Sequence, residues 1–94
     1  MHEAITVSIV VEGRVQGVGY RYFARKQALL LGLEGWVKNL PDGRVEILCS
    51  GDKDAVNEFA AVLKKGPYLS SVRSIAVTRV PDNTEREPGF EIVF

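Results

Sequence analysis

The sequence is poor in the residues from which most enzymes build reactive centres. It has one cysteine, Cys49, and one histidine, His2, in 94 residues. A lone thiol forms no internal disulfide and cannot build a cysteine-based zinc site, which fits a reducing compartment. A lone histidine beside a terminus expected to fray leaves no Ser-His-Asp or Cys-His arrangement and no multi-histidine metal site. An excess of either charge is also missing: twelve Lys and Arg offset twelve Asp and Glu. No long-range field therefore draws the chain to nucleic acid or anionic lipid, and an anion has to be caught by local groups. No apolar run approaches the roughly 18 residues of a membrane span, and no secretory signal pattern is present. A cytoplasmic location is the expectation, and any chemistry falls to arginine, carboxamide and backbone.

The remaining composition, 46% hydrophobic and 26% charged, is that of a soluble globular protein, read as a single domain over residues 1–94. Residues 5–11 alternate apolar with small or polar side chains, the period of a strand with one buried face. A glycine-rich stretch follows over 13–20, then a helix over about 21–31, with Phe23, Ala24, Gln27, Ala28, Leu30 and Leu31 on its broad apolar face and Gly32 ending it. Residues 35–40 and 44–49 read as a hairpin around Pro41-Asp42-Gly43. Asp52 is placed as the N-cap of a second helix whose Val56, Phe59, Ala60 and Leu63 fall at i, i+3, i+4 and i+7. Lys64 and Lys65 suit its C-terminal dipole, and Gly66-Pro67 stops it. Strands over 71–80 and 90–94 complete the pattern, with a polar loop beginning at Pro81-Asp82-Asn83-Thr84. The order β-α-β-β-α-β plus one C-terminal strand predicts an α+β, ferredoxin-like sandwich, with two helices on one face of a mostly antiparallel sheet.

The segment from Gly13 to Tyr20 stands between a strand and a helix N-terminus, where free N–H groups and the helix dipole converge on an anion. Glycines at 13, 17 and 19 permit a curved backbone, and Arg21 follows with a planar guanidinium suited to phosphate oxygens. The spacing is not that of a P-loop, since the Lys-[Ser/Thr] pair is missing, and Tyr22 occupies the last glycine of a G-x-G-x-x-G pattern. On glycine count alone, the stretch reads equally as a tight strand-to-helix turn.

Taken together, Gly13-Arg14-Val15-Gln16-Gly17-Val18-Gly19-Tyr20-Arg21 and Gly35-Trp36-Val37-Lys38-Asn39 resemble the two signature segments of the acylphosphatase family. The likeness continues through residues 42–46, Gly51, Phe59, Leu63 and residues 89–92, covering almost the whole chain. It implies the same compact fold and hydrolysis of the carboxyl-phosphate bond of acyl phosphates to a carboxylate and inorganic phosphate, without metal or organic cofactor. It also implies that Val15, Gln16, Gly17, Val18, Gly19, Tyr20 and Arg21 form the phosphate-binding loop, that Arg21 binds the phosphate and that Asn39 places the attacking water. The expected partners are a small acyl phosphate and phosphate, with no nucleic acid and no membrane, and a monomer is expected.

Single residues also have plainer readings. Gln16 is read as shaping the loop, Trp36 as core, and Cys49 as a small packed hydrophobe with no histidine to activate it. The chain departs from many of the relatives it resembles by carrying Leu40 after the asparagine in place of Thr or Ser. That side chain bonds neither to an amide nor to water. A module that binds a phosphorylated partner without turnover would use the same loop. RNA binding on the sheet is disfavoured by the zero net charge and the lack of an aromatic RNP1-like strand.

Overall fold

A computed structural model of the chain describes residues 3–81 and 88–94; His2 and Asp82, Asn83 and Thr84 lie outside the described residues. The chain runs through β1 (Ala4–Arg14), α1 (Tyr20–Leu30), β2 (Glu34–Asn39), β3 (Val45–Asp52), α2 (Lys53–Lys65), β4 (Ser71–Val80) and β5 (Phe90–Val93). The strands form one sheet in the order β4-β1-β3-β2-β5. The pairings of β1 with β3, β1 with β4 and β2 with β3 are antiparallel. The added strand β5 pairs parallel to β2. The ferredoxin-like α+β plan expected from the alternation of periods is therefore the one observed.

Alternation decides which face is covered. Ile5, Val7, Ile9 and Val11 of β1, Val37 of β2 and Val45, Ile47 and Cys49 of β3 are buried in one cluster with Ala24 and Ala28 of α1 and Val56, Phe59 and Leu63 of α2. Helix α1 packs over β2 and β5, and α2 over β1, β3 and β4. Lys64 and Lys65 stand in the last turn of α2, and Gly66 caps it. Asp52 occupies the N-cap position as expected, although its side chain makes no capping bond. Among the described residues no helix is long and apolar enough to cross a membrane.

Four details differ from the sequence reading. Strand β1 runs on to Arg14, with a bulge between Glu12 and Gly13; Gly13 pairs with Val72 of β4, and the approach is so close that a Cβ there would collide with the Ser71 carbonyl. The connection to α1 thus begins at Val15. Helix α1 begins at Tyr20, whose ring is buried and whose hydroxyl donates to the Leu63 carbonyl of α2 at 2.7 Å. Leu30, expected on the buried face, is 71% exposed. The helix buries Tyr20, Ala24 and Ala28, and a residue two positions beyond Ala28 lies about 200° around a helix of 3.6 residues per turn. Trp36, expected in the core, lies on the other face of β2 from buried Val37, with the Lys38 ammonium 5.1 Å from its ring centre.

Candidate active site

At one end of the sheet, Val15, Gln16, Gly17, Gly19, Tyr20, Arg21, Tyr22 and Asn39 line a hollow of about 100 Å³, space for several water-sized groups. One wall is the connection from β1 to α1. It reaches the helix through Gly19, the N-cap, at φ 77°, a left-handed conformation that costs glycine little and other residues more. A Cβ at Gly19 would meet nothing within 4 Å, so conformation and not space selects glycine there. The first helical bond runs from the Phe23 N–H to the Gly19 carbonyl at 3.0 Å. The N–H groups of Tyr20, Arg21 and Tyr22 consequently precede any i−4 carbonyl and have no partner within the helix. They stand at its positive end.

Arg21 lines the same hollow from the first turn of α1. Its Nη1 donates to the Val93 carbonyl over 3.4 Å, and the guanidinium carbon lies 4.7 Å from the Phe94 ring centre. The ring orients the cation while the long single bond leaves most of its five N–H donors uncommitted. One turn further, Arg25 Nε donates to the Phe90 carbonyl at 3.0 Å, tying α1 to β5.

Asn39 forms the opposite wall as the last residue of β2, paired with Val45. Its Oδ1 is buried and, among the described residues, has no hydrogen-bond partner. The turn after it is tightly closed: the Leu40 N–H donates to the Arg44 carbonyl at 2.8 Å and the Gly43 N–H to the Leu40 carbonyl at 3.1 Å. Asp42 accepts from the Arg44 backbone N–H and from its Nε. These contacts hold the Asp42 carboxyl below its ordinary range, the backbone bond first among them. Gln16 spans the two walls, its Nε2 donating to the Leu40 and Arg44 carbonyls at 2.8 and 3.0 Å.

The structure thus brings Val15, Gln16, Gly17, Gly19, Tyr20, Arg21 and Asn39 around one space. Val18 instead turns onto the hydrophobic core. Tyr20 contributes its backbone, its ring being interior. Tyr22, 65% exposed at the rim, was not singled out in the sequence, although its place three residues after Gly19 could have shown that it shares the helix's first turn. The contact of Arg21 with Val93 and Phe94 had no sequence signal, since it joins segments 72 residues apart. Cys49 is remote in chemistry: it is fully buried, and burial pushes its thiol up to about 12. Among the described residues no three His, Cys, Asp or Glu side chains converge as metal ligands.

Comparison with known proteins shows what the chain as a whole resembles. A model of the acylphosphatase family matches residues 7–92. An acylphosphatase of Archaeoglobus fulgidus is 43% identical over 96% of this chain and 99% of its own length. One of Thermus thermophilus is 56% identical over 72% of this chain and 77% of its own. The crystal structure of acylphosphatase from Bacillus subtilis superposes with a TM-score of 0.91 at 44% identity, covering 96% of this chain and 99% of that one.

Proposed function

Because this chain belongs to the acylphosphatase family, we propose that the hollow between the β1–α1 loop and Asn39 is where it hydrolyses acyl phosphates. In this reading the phosphoryl oxygens accept from the N–H groups of the loop and first helical turn and from the Arg21 guanidinium. The Asn39 Oδ1 accepts a hydrogen bond from water and aims that water at phosphorus, in line with the bond to the acyl oxygen. As the water oxygen bonds to phosphorus, the bond between phosphorus and the acyl oxygen breaks, and its electron pair leaves with the carboxylate. The water proton passes to a phosphate oxygen or to solvent, giving a carboxylate and inorganic phosphate.

The groups available suit this reaction because the leaving carboxylate has a conjugate acid of pKa about 4 and leaves without a proton donor. Phosphoryl transfer gives the protein little covalent work, so positioned donors and a fixed cation supply the stabilisation. Neither a metal nor an organic cofactor is required in this scheme. We extend the reading to a monomer acting in the cytoplasm on small, diffusible acyl phosphates.

The observation that carries the proposal is the convergence, in one hollow, of helix-start residues whose N–H groups have no partner within the helix, an arginine with donors to spare and Asn39, whose buried carboxamide oxygen has no protein partner among the described residues. The test is release of inorganic phosphate from acetyl or benzoyl phosphate. Arg21→Ala, folded by circular dichroism, is expected to lose roughly a thousandfold in kcat/KM, as removal of a transition-state charge stabiliser does. A folded Arg21→Ala protein working at the wild-type rate would overturn the assignment. Phosphate binding without release by the wild type would reduce the protein to a binding module.

A further inference from the structure

Gln16 is the only side chain of the hollow that hydrogen-bonds to the opposite wall among the described residues. Both N–H groups of its carboxamide are engaged there, one on the carbonyl of Leu40, which directly follows Asn39, and one on that of Arg44 at the far side of the turn. Each carbonyl already accepts a backbone bond inside the turn, so neither depends on Gln16 to be satisfied. What Gln16 adds is a link between two segments that approach the hollow from different directions. The loop it belongs to is anchored on either side without it, by buried Val15 and by Tyr20, whose hydroxyl donates to the Leu63 carbonyl. Leu40 offers no polar side chain with which to orient its neighbour.

We propose that Gln16 is a positioning residue: its clamp on the Leu40 carbonyl sets where the Asn39 carboxamide stands relative to the anion cradle, and so the line along which water approaches phosphorus. This rests on the reading of Asn39 as the holder of that water. Displacing a reacting group by about 1 Å costs on the order of a hundredfold in rate, whereas the loop amides and Arg21 that grip phosphate are untouched. Loss of the clamp is therefore expected in kcat and not in phosphate affinity.

The experiment compares Gln16→Met, which keeps length and packing but donates nothing, with wild type, and repeats the pair in an Asn39→Ala background. With benzoyl phosphate, Gln16→Met is expected to lower kcat about 30- to 100-fold and to change the inhibition constant of inorganic phosphate by less than about threefold. On Asn39→Ala it should cost less than about threefold more, because two groups acting as one are not additive. Equal cost in both backgrounds, an unchanged kcat, or a phosphate affinity that falls as far as kcat would each overturn the proposal. Absence of turnover in the wild type would instead strike at the reaction itself. Even then the clamp is readable, since the side-chain amide resonances of Asn39 in an NMR spectrum of the unliganded protein should shift in Gln16→Met; unmoved resonances count against it. Gln16→Ala serves as the second variant if Gln16→Met does not fold.

Discussion

At Asn39 the fold carries a buried carbonyl oxygen with no protein partner, which costs about 1–3 kcal/mol relative to a satisfied group. Asn39→Ala is thus expected to raise the unfolding midpoint by about 4–8 °C, equivalent to about 1 kcal/mol in a domain of this size, while kcat falls about a hundredfold or more. Calorimetry together with phosphate release checks both halves; a variant that is both less stable and fully active contradicts the argument. Cys49 gives the corresponding prediction for pH. Its thiol moves from an ordinary 9.0 to about 12 because burial penalises the thiolate, and burial likewise raises the Tyr20 hydroxyl. Above pH 9 the unfolded chain loses protons that the folded chain keeps, so stability is complete below that pH and falls as pH climbs toward 12. Denaturation midpoints measured from pH 8 to 11 should show this decline, and Cys49→Val should make it shallower. Of these residues, Arg21 and Asn39 were legible through their motif segments. The orphaned oxygen of Asn39 was not, because partners are a property of the folded neighbourhood.

At the scale of elements, strand β2 depends on how closely it approaches β3. Gly35 adopts φ 145°, and a Cβ there would fall deep inside contact distance of the Leu48 carbonyl of β3. Gly35→Ala is therefore expected to destabilise the protein by about 2–3 kcal/mol. Because Asn39 ends the same strand, activity should fall with it. Urea titration and phosphate release measure the two effects, and an Ala variant of wild-type stability would show that the strands can separate without penalty. Helix α2 was readable in detail, since Val56, Phe59 and Leu63 form a continuous stripe and are buried as a set. Helix α1 was less so. Its run of Leu29, Leu30 and Leu31 offers apolar residues all round, and the phase of the helix follows from Tyr20 entering the core to reach the Leu63 carbonyl, with Ala24 and Ala28 below it. Apolar content cannot set that phase, whereas a buried hydroxyl that requires an acceptor can.

Across the whole molecule, the short turn between β2 and β3 closes the only strand pairing that is local in sequence among the described elements. The partners Thr6 and Val80, Ile5 and Gly51, and Trp36 and Glu91 must find each other across long stretches of chain. Closing such loops before contacts reward them makes folding slow. Refolding from urea is expected on the scale of milliseconds to seconds, and stopped-flow tryptophan fluorescence follows it; complete recovery within microseconds would show that local contacts dominate. The strand and helix order, the side of the sheet that is covered and the two motif segments were determined by the sequence alone, because periodicity, turn chemistry and residue type are local properties of a chain. The tertiary structure alone decided that β5 lies parallel beside β2, that Val93 and Phe94 meet Arg21, and that Gln16 grips the carbonyls of Leu40 and Arg44. Those contacts join residues far apart in sequence, and they exist only after burial of the common core has brought the segments to one end of the sheet.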